Sequence, residues 1–289
     1  EIQVNLRASH GWKKMTKEVK VMDPYNFALY QYELGSKDYG NYNDMDIWQS
    51  VDGNNWQDQV FGRTGHQNQY NINVSGGSKD IKFNAGLSHN DEKSIMMGSG
   101  YSKNNINAKL NAKVSKWITI DFNGRLSFTK LDGLNGGADT NESNAANSIV
   151  ANTVRYGPVD PLNNSDEDES NSTSMRRTPY QRIDATYKYQ ERFQQSYNGG
   201  VNWKPFKNFT FRTEIGYTWK YDKSEQVWGS DATTNSKYGY NGDPQAQFIR
   251  VDARNWRNAN TVTYDNKKLF VNGLKLKVKE LSRVALEWV

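Results

Sequence analysis

The sequence predicts an all-β chain whose antiparallel strands run up and down in one wall, as in a transmembrane barrel. Three observations predict it. Apolar and polar residues alternate in about nine separate segments, the period-2 pattern of strands. The connections between those segments alternate between short and long. Two of the short turns hold an aromatic residue beside lysine, at Trp117 and at Phe206.

The segments follow in chain order. Ile2–His10 places Ile2, Val4, Leu6 and Ala8 on one side. Gln67–Ser75 does the same with Tyr70, Ile72 and Val74, and Asp80–His89 with Ile81, Phe83, Ala85 and Leu87. Lys103–Val114 carries Ile106, Ala108, Leu110 and Ala112. After Trp117, Ile118, Ile120, Phe122, Leu126 and Phe128 fall on one side, and Thr119, Asp121, Asn123, Arg125 and Ser127 on the other. Phe193–Trp203 and Phe209–Tyr221 follow, then the weaker Trp256–Tyr264 and Leu269–Val278. Successive strand side chains point to opposite faces, so each segment has one apolar and one polar face. The polar faces are rich in amide and charge, as at Asn71, Asn73, Asn84, Asn107, Lys109, Asn111, Asp121, Asn123 and Arg125.

Short turns are expected at 76–79, 115–117, 204–208 and about 265–268; the remaining connections, about 11–66, 90–102, 130–192 and 222–255, are long. In an up-and-down sheet this order puts tight turns at one end and large loops at the other, the asymmetry of outer-membrane barrels. Trp117 and Phe206, each near lysine, suit an interfacial girdle; a soluble hairpin with an aromatic plug under its turn gives the same local pattern. Two helical stretches are expected in the first long loop. Asp23 is a good N-cap, Pro24 takes the first helical position and Gly35 follows as a stop, and 54–65 adds a further turn or two. The stretch 130–192 is rich in Gly, Asn and Ser and reads as loop.

Composition is compatible with this wall. Of 289 residues 35% are hydrophobic, and the mean hydropathy is −0.93. No apolar run approaches the ~20 residues of a spanning helix, but a spanning strand needs only ~9–11, half of them polar. There is no cysteine, hence no disulfide framework and no thiolate metal site. The net charge of +5, mixed along the chain without basic runs, gives little support to a nucleic-acid partner. The chain opens in strand alternation at Glu1 without an initiator Met, as expected of a processed or truncated polypeptide.

Chemical motifs are sparse. His10, His66 and His89 lie in different segments without metal-ligand spacing, and Asp166–Glu169 lacks the glycine and spacing of a calcium loop. No nucleophile elbow, phosphate loop or zinc-protease helix occurs, so no catalytic residue, cofactor or enzyme activity is expected. The best ligand candidates are Trp228, Tyr238 and Tyr240, whose rings, among Gly, Ser and Asn, suit stacking on a sugar face; packing of the loop onto the barrel rim or a lid protein would use the same rings.

NNWQDQVF (54–61) followed by QNQYNINVSGGSKDIKFNAGLSHNDEKSIMMGSGYSKNNINAKLNAKVSKW (67–117) resembles the SusC/RagA family of TonB-dependent outer-membrane transporters, as does the hairpin VNWKPFKNFTFRTEIGYTW (201–219). The likeness covers most of 1–264; the tail NGLKLKVKELSRVALEWV departs from the family's pattern. It implies a barrel of about 22 strands, a size at which the lumen is plugged. It implies localisation in the bacterial outer membrane, contact with outer-membrane lipid, a SusD-like surface lipoprotein as lid, and uptake of an oligosaccharide or peptide driven through the TonB complex. On that reading residues 1–289 are one partial barrel domain of about nine strands, the N-terminal part of the wall, and the plug and TonB-contacting segment would precede Glu1. A secreted, soluble carbohydrate-binding β-sandwich, with the apolar face inside, is the alternative; a surface glycosidase is a more distant one, since nothing places two carboxylates across a cleft.

Overall fold

The computed structural model describes residues 1–34, 42, 44–133, 149–159, 178–230, 244–264, 266–271, 274–278 and 282–284. Eight long strands form one antiparallel meander, each bonded to its neighbours in sequence: β1 (Ile2–Lys13), β2 (Gly65–Gly77), β3 (Ile81–Lys93), β4 (Gly100–Lys113), β5 (Ile118–Asp132), β6 (Thr186–Trp203), β7 (Phe209–Trp228) and β8 (Gln245–Tyr264). Register is continuous through every pair, so a residue's parity fixes its face across the sheet. No helix among the described residues is long and apolar enough to cross a membrane, which says nothing of strands.

The turns at one end are tight for local reasons. Ser78 Oγ accepts hydrogen bonds from the backbone N–H groups of Asp80 and Ile81, at 3.3 and 3.2 Å. Ser115 Oγ repeats the device for Trp117 and Ile118, both at 3.1 Å. Between β6 and β7, Asn208 takes a left-handed conformation (φ 70°), which an asparagine tolerates.

At the other end lie 14–64, 94–99, 133–185 and 229–244. The second of these corrects the expectation of a long loop over 90–102. Asp91, Glu92 and Lys93 stay in register with Ser102, Tyr101 and Gly100, because a ladder needs backbone pairing and not an apolar face. Among the described residues no ninth full-length strand forms. Instead β9 (Asn266–Val271) pairs with β10 (Leu274–Val278), and β11 (Ser282–Val284) bonds three residues of β8. The intervening dipeptide, Asn272-Gly273, is the sequence most favourable to a local hairpin, so pairing with the near neighbour prevails over pairing with β8.

The long connections build a small cap. Helix α1 (Pro24–Glu33) starts as expected, with Asp23 accepting from the Asn26 backbone N–H at 2.8 Å; the stop at Gly35 lies outside the described residues. Helices α2 (Met45–Trp48), α3 (Trp56–Phe61), α4 (Ile149–Arg155) and α5 (Pro179–Asp184) follow, the last opened by a capping box between Thr178 and Gln181. Two apolar clusters hold the cap: Ala28, Tyr42, Trp48 and Val159, then Val60, Met97 and Ile183. Every buried hydrophobic residue among those described belongs to this end, and none lies within β1–β8.

Candidate functional site: the two faces of the wall

The alternation read from the sequence becomes two chemically distinct surfaces. On the apolar face, Leu6, Ile72, Leu87, Ile106, Phe122 and Ile215 remain exposed, and no second sheet covers them among the described residues. The β-sandwich alternative requires that face sealed, so it is not the architecture here. From Ile118 to Phe128 the band spans roughly 33 Å of strand, which at the 35–45° tilt of a barrel wall is about the 25 Å height of a lipid-facing belt.

Aromatic rings bound the band at both ends. Trp117, Phe206 and Trp203 mark the short-turn end, with Trp117 62% and Phe206 75% exposed. Toward the cap, Tyr70 stacks on His89 with ring centroids 6.1 Å apart, and His10 meets Trp12 edge-on at 4.4 Å. There the Trp219 indole donates to Asp252 at 2.8 Å beneath the Arg254 guanidinium, 5.4 Å from the ring. Rings with a wet edge suit headgroup depth. Beyond them the outward positions turn polar: Lys93, Lys130, Lys223, Arg250 and Arg254 are matched in number by Asp91, Asp132, Glu191, Glu225 and Asp252.

The opposite, inward face is different. It carries Arg7 and Lys13 from β1, Lys82 from β3, Lys103, Lys109 and Lys113 from β4, and Arg125 from β5. Lys188 and Arg192 follow from β6, Arg212 and Lys220 from β7, and Arg257 from β8. The inward carboxylates are Glu92, Asp121, Glu214 and Asp222. Lys13 pairs with Glu92 at 2.6 Å. Arg212 reaches over β6 to clamp Asp121 of β5 through both nitrogens, at 2.7 and 3.1 Å, and also holds Glu214. The reach depends on Gly200 of β6: a Cβ there would lie 2.8 Å from both Arg212 Nη2 and Asp121 Oδ2. Amides lie flat beside these charges, with Asn107 donating to Asn84 at 3.3 Å and Asn84 to Asn73 at 2.7 Å.

The individually named candidates separate. Trp228 is not in a loop; it ends β7, half-buried and paired in register with Thr186 and Gln245. Tyr238 and Tyr240 lie outside the described residues, as does Asp166–Glu169. His10 and His66, distant in sequence, become neighbours on β1 and β2 with centroids 6.5 Å apart. No group of three ligating side chains converges among the described residues. The cap adds a cleft of about 440 Å³ between residues 18–24, 53–57 and Thr153–Pro158. The Gln57 amide holds one side of it, accepting from Val19 N at 2.9 Å and donating to Val19 O at 2.8 Å.

Three solved structures share this architecture. They are the RagAB peptide importer in its closed-closed state (TM-score 0.60, 13% identity) and in its open-open state (0.64, 13%), and the RagAB peptide transporter (0.63, 14%). Each aligns with 92% of this chain. In fold, this sheet is similar to part of the barrel wall of those RagAB structures. No family model matches the chain. A curated relative, TonB-dependent receptor P39 of Formosa agariphila, is 26% identical over 162 residues, 56% of this chain and 15% of the relative. The chain spans about a third of the RagAB chains, at 33%, 32% and 33%. The apolar band thus lies on one side of the sheet and the charged, amide-rich face on the other.

Proposed function

We propose that this wall belongs to a TonB-dependent importer of the bacterial outer membrane, acting by passage and not by catalysis. The observation that carries the reading is the uncovered apolar band, bounded by rings at both ends, opposite a face that from β1 to β7 is rich in charge and amide. In lipid every backbone polar group must be paired internally, and a closed sheet meets that demand. On this reading the cap of long connections meets a SusD-like lipoprotein lid and the incoming oligosaccharide or peptide, with Trp228 at its base as a stacking candidate. TonB supplies the energy from the inner side.

The absence of cysteine from the sequence makes a direct test clean. Single cysteines at Leu110 and Asn111, adjacent residues on opposite faces, are placed in the membrane-inserted polypeptide and labelled in turn. Leu110→Cys should react only with a lipid-soluble maleimide and Asn111→Cys with a water-soluble one. Equal aqueous labelling at both, or a chain that stays monodisperse without detergent, overturns the membrane reading. Uptake of labelled oligosaccharides and peptides by cells expressing the polypeptide, with and without TonB, tests the transport itself.

A further inference from the structure

The charges of this chain are sorted by face. Twelve cations and four carboxylates point inward from β1–β8, whereas the outward positions carry five of each. Most of the inward carboxylates are already committed: Glu92 to Lys13, and Asp121 and Glu214 to Arg212. Lys82, Lys109, Lys113 and Arg125 form an exposed patch on β3–β5 with no ion-pair partner within 4.0 Å among the described residues. Gathering like charges on neighbouring strands costs free energy, since facing like charges repel.

The patch is patterned as well as charged. Lys82 faces Asn111 across the β3–β4 pair, Lys109 faces Asn84 on one side and Asn123 on the other, and Arg125 faces Asn107. Cations thus alternate with amides in both directions. Between these positions the inward side chains are polar or absent, as at Gly86 and Ser88, with no apolar pocket of the kind that reads peptide side chains. Ammonium and guanidinium groups bind carboxylate or sulfate, and amides bond hydroxyls through both donor and acceptor.

We infer that the inward face of β3–β5 is a track for an acidic oligosaccharide, one bearing carboxylate or sulfate groups among its hydroxyls. The inference rests on the importer reading above and names the class of cargo for it. A cationic track raises the local concentration of an anionic chain, and does so less as salt screens it. Lys109 and Arg125, on adjacent strands, hold the anionic groups; Asn84, Asn107 and Asn123 hold the hydroxyls between them.

The test uses uptake by cells whose outer membrane carries the full polypeptide and whose TonB complex is active, with TonB-deficient cells as the baseline. The probes are a fluorescent oligouronate and the same oligosaccharide after chemical reduction of its carboxyl groups, which is neutral with an unchanged backbone. The wild type should prefer the acidic probe, and the preference should shrink between 50 and 300 mM salt, taken as roughly low and high screening. K109Q/R125Q should lower uptake of the oligouronate about tenfold, one such step being about 1.4 kcal/mol, and leave the reduced probe unchanged. Both substitutions sit on exposed inward positions, and unchanged heat-modifiable gel mobility reports an intact barrel. An equal fall for both probes overturns the inference, because the patch then serves an acidic part of the polypeptide seated in the lumen. So does a wild type that favours the neutral probe or takes up peptides alone. A wild type that imports no sugar and no peptide overturns the importer reading itself.

Discussion

In the cap, Ala28 and Val60 are wholly out of water, and Trp48, Met97 and Ile183 nearly so. In the wall, Leu6 is 73% exposed, and Ile72, Leu87, Leu110 and Ile215 are all in contact with solvent along one continuous face. Both regions are built by the same chain and joined by the same strands. The cap solves the burial problem as a water-soluble domain does, by packing apolar side chains against one another. The wall leaves the problem open on one side, which is economical only where the surrounding medium is itself apolar. Carboxylates and cations stay off that face within the band, and appear on it only beyond the ring-marked edge at His89, Phe128 and Trp219.

The sharpest way to break the contrast is to charge the band. Leu110→Arg should cost about 2–4 kcal/mol when the barrel is unfolded from phospholipid vesicles by urea, the range for a cation near the midplane. Asn111→Arg, one residue on and facing inward, should change stability by less than about 0.5 kcal/mol. Similar costs at both positions would mean that the two faces meet the same medium. Next in size is a cavity in the cap. Val60 is 0% exposed, so Val60→Ala removes two buried methyl groups and should cost the cap roughly 2 kcal/mol. The loss should appear as faster proteolysis within 14–64, with heat-modifiable mobility of the wall unaltered. A matching loss from the wall would show that cap and wall unfold as one unit.

The wall was legible where one face of each strand is apolar. Ile118, Ile120, Phe122, Leu126 and Phe128 stand out because a strand sends every second side chain to the same face and that face is apolar here. Once a strand leaves the band, charged residues enter the outward positions and the apolar alternation lapses, although the backbone ladder continues. That is why Asp91–Lys93, Gly100–Ser102 and Lys223–Trp228 read as loop and fold as strand. In the cap, Asp23-Pro24 announced α1, whereas α5, opened by Thr178, Pro179 and Gln181, folds within a stretch read as loop from its Gly-, Asn- and Ser-rich composition. The charge asymmetry was invisible in a linear count, because inward and outward charges interleave at a spacing of single residues. The Arg212–Asp121 clamp had no local signal: its partners are 91 residues apart and on strands that do not touch.

That clamp gives the third and smaller effect. Gly200→Val places a side chain between Arg212 and Asp121, whose side chains are 31% and 33% exposed. Such partly solvated pairs contribute about 0.2–1 kcal/mol, so the loss should lie in that range. The same substitution in a D121N/R212Q background should be close to neutral. A cost that survives in that background would place the role of Gly200 in the backbone of β6 and not in the clamp.

The smallest expected effect belongs to the cap and is read by pH. The Asp23 carboxyl is held below the usual carboxylate range, first by the backbone N–H of Asn26 and then by its side-chain amide. The group is fully exposed, so its contribution is modest and screened by salt. A lowered value in the folded state means that the unfolded state takes up the proton first as pH falls. The stabilisation of α1 is therefore complete above the ordinary carboxylate value of about 4 and fades as pH drops through the lowered one. Hydrogen-exchange protection, relative to the intrinsic rate at each pH, should fall over that window at Asn26 and Phe27, whose N–H groups bond Asp23 Oδ1 and Asp23 O, while protection in β2–β5 holds steady. Asp23→Asn should remove the pH dependence and keep the cap, because an amide oxygen accepts the same hydrogen bond without titrating. If protection at those two positions stays flat through the acid range, the helix is held by its packing against Tyr42 and Trp48 and its N-terminal cap is incidental.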